Sequence, residues 1–172
     1  MVIRPVRWSD FPTFVEFYYS RYDEVTRNPD LFLYTQAKKP ALGEEAIWFG
    51  SLMREILDGD TVCMVAEEDG RVVGAADVRR KGHHTEERHA GIYANAIVPE
   101  WRGKGIGDEL ISTTLKACTG KFEVLYLIVV DQNERAKKLY RKHGFVECGR
   151  FPRGFKRGER YLDDILMWRA LG

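Results

Sequence analysis

The sequence predicts a single α+β domain, a mostly antiparallel sheet of seven strands flanked by about four helices. Three observations carry that expectation. Seven short segments alternate or run apolar in the manner of strands, and four longer ones repeat their apolar residues at helical spacing. Their order is strand, two helices, three strands, then helix and strand in alternation up to a closing pair of strands. No linker, repeat or low-complexity stretch interrupts residues 1–172, a length suited to one domain that buries roughly 70% of its unfolded surface.

In chain order, residues 2–6 form a first strand, stopped by Trp8, Ser9 and Asp10. Ser9 or Asp10 can cap a helix over 11–21, where Phe14, Phe17 and Tyr18 share a face. Residues 27–40 hold two prolines and read as irregular. A second helix over 44–58 shows Ile47, Trp48, Met53, Ile56 and Leu57 as its apolar side and ends at Gly59. Strands 61–67 and 71–79 are joined by Asp69-Gly70, a strong hairpin signal. After a polar stretch at 80–88, a strand over 90–98 is stopped by Pro99. The helix 105–119 puts Ile106, Leu110, Ile111, Leu115 and Cys118 on one stripe. The unbroken apolar run 124–130 is expected to be a strand buried on both faces. Asn133 caps a short helix over 133–143, Gly144 follows it, and strands near 145–150 and 160–168 close the domain.

Composition excludes several classes. A formal charge of +1 argues against a dedicated nucleic-acid binder, which is normally markedly basic. The apolar runs are far short of the ~20 residues that a membrane span requires. The first residues lack a charged-then-apolar leader, so no signal peptide is expected. Cys63, Cys118 and Cys148 are odd in number and form no CxxC pair, and Cys63 and Cys118 fit as small buried hydrophobes. A reducing, cytoplasmic setting follows as the expectation.

The most specific segment is Arg102-Gly103-Lys104-Gly105-Ile106-Gly107, between a strand and a helix. Glycines at alternate positions let backbone N–H groups turn inward. The helix adds its positive dipole end, and Arg102 and Lys104 add full charges, which together suit a phosphate or pyrophosphate. Neither the Rossmann G-x-G-x-x-G nor the P-loop G-x-x-x-x-G-K-[ST] spacing is present. Downstream, Ala136 and Tyr140 lie four apart on one face of the helix that Asn133 caps. Ala136 is small enough for a ligand to approach, and Tyr140 projects its hydroxyl from the same side.

These two segments resemble the paired acetyl-CoA motifs of the GCN5-related N-acetyltransferase (GNAT) family. Arg102–Gly107 is similar to its R/Q-x-x-G-x-G/A pyrophosphate motif, and Asn133-x-x-Ala136-x-x-Leu139-Tyr140-x-x-x-Gly144-Phe145 to its second motif. The resemblance covers at least residues 90–168. It implies a single GNAT-type domain over 1–172, with acetyl-CoA bound by about 90–150 and the acceptor met by helices within about 10–58. The implied ligand-binding residues are Ala96, Ile97, Val98, Arg102, Gly103, Lys104, Gly105, Ile106, Gly107, Asn133, Ala136 and Tyr140. Asn133 and Tyr140 would face the thioester, with Tyr140 as general acid. An N–H of the strand 95–98, from Ile97 or Val98, would meet the developing oxyanion.

The implied reaction is direct acetyl transfer from acetyl-CoA, as co-substrate, to a primary amine on a small molecule, peptide or protein. An amine of pKa ~10.4 is almost wholly protonated at pH 7, so a free base must be held or generated. The strand 90–98 has no carboxylate, leaving Asp131, Glu100 or a water relay past Asn95 or Tyr93 as candidates. Glu16, Tyr18, Tyr19, Tyr22 and Asp23 could meet a cationic acceptor, or form an ordinary solvated face. His83, His84 and His89 with Glu86 and Glu87 lack a completing ligand set, and no metal is expected. Arg153, Lys156, Arg157 and Arg160 could meet an anion or line an exposed loop. Nucleic-acid and membrane partners are not expected; a homodimer is compatible with such a domain.

Charge is unevenly spread: residues 101–172 hold 15 basic against 9 acidic side chains, and residues 1–100 hold 12 against 17. That fits an anionic cofactor on one side and a cationic acceptor on the other, although the charges of helix 133–143 could face only water. Two rivals share the glycine turn: a non-catalytic CoA-binding domain of the same fold, and a nucleotide binder that prefers ATP or NAD.

Overall fold

Alternating apolar residues and tight turns knit seven strands into one sheet, in the order β1-β2-β3-β4-β5-β7-β6. The structure, a computed structural model, describes residues 1–28, 30–82 and 84–172. The strands are β1 (Val2–Pro5), β2 (Thr61–Glu68), β3 (Arg71–Arg80), β4 (Ala90–Ile97), β5 (Val124–Val130), β6 (Val146–Arg157) and β7 (Arg160–Ala170). The helices are α1 (Phe11–Arg27), α2 (Leu42–Leu57), α3 (Ile106–Cys118) and α4 (Glu134–Lys142). Every neighbouring pair is antiparallel except β4 and β5, which run parallel.

The β4–β5 pair is also the shortest crossing. Only Ala90, Gly91 and Ile92 pair with Val124, Leu125 and Tyr126, after which the strands part. β4 stays bound to β3 as far as Ile97 opposite Gly74, so its other edge faces a gap. Where the strands meet they pack tightly. A Cβ on Gly91 would lie 2.5 Å from Val78 Cγ1 and 3.0 Å from Leu125 Cδ2 and Phe122 Cδ1.

Helices cover the sheet unequally. β2 is buried at every residue from Thr61 to Ala66, because α2 packs on it from one side and α3 from the other. The α3 stripe Ile106, Leu110, Ile111, Leu115 and Cys118 is wholly buried, as its spacing predicts. β5 departs from expectation: it alternates, and Ile128 is 51% exposed, because helices cover only one of its faces. α2 turns Trp48, Met53 and Ile56 of its expected apolar side toward the core, but not the other two. Phe49, Leu52 and Met53 are buried, while Ile47 (75% exposed) and Leu57 (76%) face outward.

α1 runs on to Arg27, past the expected end at residue 21, and the added turns carry the buried Val25 as well as Glu24, the ion-pair partner of Arg102. Asp10 precedes it without a side-chain cap bond. Its carboxylate instead accepts the Arg7 N–H (2.7 Å) and both arms of the Arg4 guanidinium (2.8 and 2.7 Å). The hairpin tip Asp69-Gly70 has φ of 48° and 75°, the paired positive values that a two-residue turn of this hand requires. Among the described residues, no helix is long and apolar enough to cross a membrane.

Replacing Gly91 with Ala forces Val78, Leu125 and Phe122 apart at the strand junction. The expected cost is about 1–3 kcal/mol in urea-unfolding free energy. An unchanged midpoint would show that the junction tolerates a methyl group.

Candidate functional site

The parted strands open into a cavity of about 810 Å³, walled by β4, the turn before α3, α4 and the α1–α2 connection. β4 presents Asn95, Ala96 and Ile97 along the gap. Because alternate residues of a strand point their N–H and C=O groups to opposite edges, part of this backbone faces the gap rather than β3. The chain then makes a 3-10 turn, Pro99–Trp101, and enters the glycine segment. Gly103 and Gly105 have φ of 79° and 83°, a region side chains strain to occupy, and Gly105 is the N-cap of α3. A Cβ on Gly107 would lie 3.3 Å from Leu139 Cδ2 and 3.5 Å from Ile97 Cδ1, so glycine lets α3, α4 and β4 close together here.

The expected ligand residues divide into two groups. Ala96, Ile97, Arg102, Gly103, Gly105, Gly107, Asn133, Ala136 and Tyr140 line the cavity. Val98, Lys104 and Ile106 do not. Val98 is buried and donates its N–H to Val73 O (3.0 Å), so of the two expected oxyanion donors only Ile97 remains. Ile106 lies in the core. Lys104 Nζ rests 4.2 Å from the centre of the Trp101 ring.

Arg102 is already engaged. Its Nε donates to Ile97 O (2.9 Å), and its two terminal nitrogens bind both oxygens of Glu24 on α1 (2.5 and 2.6 Å). This fork-to-fork pair fastens the glycine turn to α1 and leaves little of the Arg102 charge for a ligand. Positive charge on the wall comes instead from α4, where Arg135, Lys138 and Lys142 line the cavity. Their spacing of three and four along a helix is legible in the sequence, although it does not by itself say which way the face turns. Asp108 of α3 binds Lys142 (2.6 Å) and His143 (3.0 Å), which hold its carboxyl below the usual range and tie the two helices together.

Asn133 is the cap its position predicts: its Oδ1 accepts the Ala136 N–H (3.2 Å), while its Nδ2 donates to Phe32 O (3.2 Å). Tyr140 donates its hydroxyl to Asn95 Oδ1 (2.9 Å) across the gap. Burial pushes its pKa up to about 12, against the opposing field of Arg21. Tyr93 packs edge-on against Tyr140, and its buried hydroxyl has no protein hydrogen-bond partner among the described residues.

The candidate bases are weak ones. Asp131 binds Lys137 (2.9 Å) and Arg150 (3.0 Å), and the Lys137 hydrogen bond leads in lowering its pKa. Glu100 is exposed and lines a separate hollow beside Glu16 and Arg71.

Sequence reasoning missed the wall formed by Leu31, Phe32 and Leu33, in the stretch read only as irregular. Arg157 donates to Leu31 O and to Leu33 O (2.6 Å), and Arg160 pairs with Asp30. Tyr34 donates to Asp164 and packs on Phe155. Half of the basic closing loop therefore fastens this wall, while Arg153 and Lys156 lie over the Tyr161 ring. Of the proposed acceptor-side residues, Glu16 pairs with Arg71, Asp23 with Lys39, and Tyr19 donates to Pro40 O (2.8 Å). His83 lies outside the described residues. Among those described, no cluster of His, Cys, Asp and Glu is arranged to hold a metal ion.

The cavity between the parted parallel strands thus has a glycine-built helix start on one wall and a tyrosine hydroxyl across from it. Residues 12–145 match the family model described as the acetyltransferase (GNAT) family, and the chain belongs to that family. It is 32% identical over 123 residues to a phosphinothricin N-acetyltransferase of Alcaligenes faecalis, a match covering 68% of this chain and 60% of that protein. It is 30% identical over 149 residues to an uncharacterized N-acetyltransferase of Methanocaldococcus jannaschii, covering 84% of this chain and 60% of the relative. The chain thus spans about three fifths of the length of these two relatives. The ribosomal-protein-alanine N-acetyltransferase of Brucella melitensis superposes with a TM-score of 0.83 at 25% identity, covering 99% of this chain and 100% of that one. A phosphinothricin acetyltransferase of Sinorhizobium meliloti, solved with acetyl-CoA, gives 0.83 at 25% identity, covering 99% and 88%.

The substitution Gly105→Asp puts a carboxylate and a strained left-handed residue at the start of α3. Left-handed strain of ~1–2 kcal/mol together with charge repulsion is expected to weaken CoA binding by about 100-fold or more in calorimetry. Near-native affinity would take this turn out of the ligand's path.

Proposed function

We propose that this chain is an acetyl-CoA-dependent N-acetyltransferase that acetylates a primary amine by direct attack, with Tyr140 as the proton donor. The observation that carries this reading is the Tyr140–Asn95 hydrogen bond (2.9 Å) in the same cavity as the Gly103–Gly105 turn. A domain that only held CoA would have no use for a proton donor there. Family membership and the acetyl-CoA complex of the Sinorhizobium relative support the choice of ligand.

The cavity fits that ligand. At the start of α3 the Asp108 N–H bonds to Gly105 O, while the Ile106 and Gly107 N–H groups have no helical carbonyl to reach; these two and the dipole suit a pyrophosphate, with Arg135, Lys138 and Lys142 on the facing wall. Ala136 and the glycines leave room for a thin chain to pass, and the free edge of β4 offers it backbone hydrogen bonds.

Acetyl-CoA supplies the acyl group as a thioester. The amine nitrogen bonds to the carbonyl carbon, and the carbonyl oxygen, now an oxyanion, faces the N–H of Ile97. As the C–S bond breaks, the sulfur takes a proton from Tyr140, which water then restores. The nitrogen loses its own proton to water, because Asp131 and Asp108 are committed to cations and Glu100 stands outside the cavity. Asn95 orients the Tyr140 hydroxyl, and Asn133 is a positioning residue that holds the α4 start and the Phe32 wall.

Tyr140→Phe is expected to lower kcat by about 10²–10⁴ while leaving acetyl-CoA affinity nearly intact, as read by thiol release and calorimetry. Unchanged kcat would remove Tyr140 from the chemistry. Binding of acetyl-CoA without thiol release from any amine would favour the non-catalytic reading.

The pH profile offers a separate check. Tyr140 is raised towards 12, so it keeps its proton throughout the working range. Turnover should climb with the free-base fraction of the amine and show no falling limb below about pH 11. A fall between pH 8 and 10 that Tyr140→Phe abolishes would contradict this.

A further inference from the structure

Among the described residues, the buried side-chain polar atoms left without a hydrogen-bond partner include one on a cation, the Nε of Arg21. Arg21 projects from α1, its guanidinium carbon 5.8 Å from the ring centres of both Phe17 and Tyr18. No carboxylate pairs with it among the described residues. The two acids whose fields reach it are both committed elsewhere, Glu24 to Arg102 (2.6 Å) and Asp77 to Arg79 (3.1 Å). The Arg102 charge adds repulsion, and burial presses the Arg21 guanidinium below its ordinary pKa.

Arg21 is half-buried, and a guanidinium held there without a counter-ion gains more from an arriving anion than one on an open surface does. Three observations locate that anion. Arg21 is not on the wall of the main cavity, where the phosphates of CoA would lie. It sits where α1 meets α2 and β3: Tyr18 packs 5.9 Å from Trp48, and Trp48 carries Arg79 of β3 (5.4 Å). Its field also reaches the Tyr140 hydroxyl, at the reacting end of the site. The anion therefore comes with the acceptor rather than with CoA.

We propose that Arg21 receives the carboxylate of the acceptor, and that the acetylated amine is the α-amino group of an amino-acid-like small molecule. The planar guanidinium fork matches a carboxylate in geometry as well as charge, and its aromatic backing holds it in place. Because the side chain is half-buried and its Nε is out of contact with solvent, the pair is stronger than the same contact on a fully exposed surface. This inference rests on the acetyl-transfer reading above.

The test uses the whole chain with acetyl-CoA and a panel of α-amino acids, each matched with its carboxamide, read by thiol release. A carboxamide has the less basic amine and carries more free base at neutral pH, so without recognition it would react faster. At least one free acid should exceed its carboxamide in kcat/KM by roughly 30-fold or more, the usual effect of losing one partner of a buried charge pair. Arg21→Gln should abolish that preference while keeping carboxamide rates within about threefold and the acetyl-CoA-induced melting shift unchanged; Arg21→Lys should restore part of it. Equal or better use of carboxamides by the native protein would overturn the proposal. So would a loss on Arg21→Gln shared by acids and carboxamides, which would mean Arg21 acts through Tyr140 or the fold. A weakened acetyl-CoA shift would overturn it as well, by assigning Arg21 to CoA. Absence of thiol release with every amine overturns the acetyl-transfer reading and this inference together, a result distinct from release that ignores the carboxylate.

Discussion

The site depends on two parallel strands that pair for three residues and then separate. A sheet strand whose neighbour departs is left with unsatisfied N–H and C=O groups, and a buried edge of that kind must find other partners. Here Arg102 takes the Ile97 carbonyl, and the remaining edge of β4 opens on the cavity. The close packing of Gly91 against Val78, Leu125 and Phe122 makes the junction firm at one end, so that the opening has a fixed origin. The helices that begin beyond the two parted strands then supply the glycine turn and the Tyr140 face.

Charge around this opening is organised by what is already neutralised. Arg102 and Asp108, charged side chains on either side of the start of α3, are both spent on protein partners, Glu24 in one case and Lys142 and His143 in the other. They act as fasteners, linking the turn to α1 and to α4. Positive charge on the cavity wall comes instead from Arg135 and Lys138 of α4, a helix whose charges the sequence left free to face only water.

Much of this was legible in the sequence because local rules and the fold agree. The alternate glycines, the Asn133 cap and the buried stripe of α3 each follow from one stretch of chain, and the structure realises each in place. The features that escaped depend on distant segments. Glu24 matters because α1 continues for six residues beyond its expected end and brings a carboxylate to Arg102. Ile128 is exposed because no helix happens to cover its side of β5, which an apolar run cannot disclose. Leu31, Phe32 and Leu33 form a wall only because Arg157 and Asn133, far along the chain, bind their carbonyls. Arg21 was unremarkable as a residue of an amphipathic helix; what marks it is the partner it lacks.

The wall at Leu31–Leu33 has an evolutionary consequence. It belongs to no helix or strand, and its backbone carbonyls are held by Asn133 and Arg157. Those anchors are indifferent to which side chains the segment bears. Substitutions there can reshape what the cavity admits while the sheet, the glycine turn and Tyr140 stay as they are. A scaffold arranged in this way can be handed new ligands by drift in a short stretch of chain, with the chemistry inherited intact.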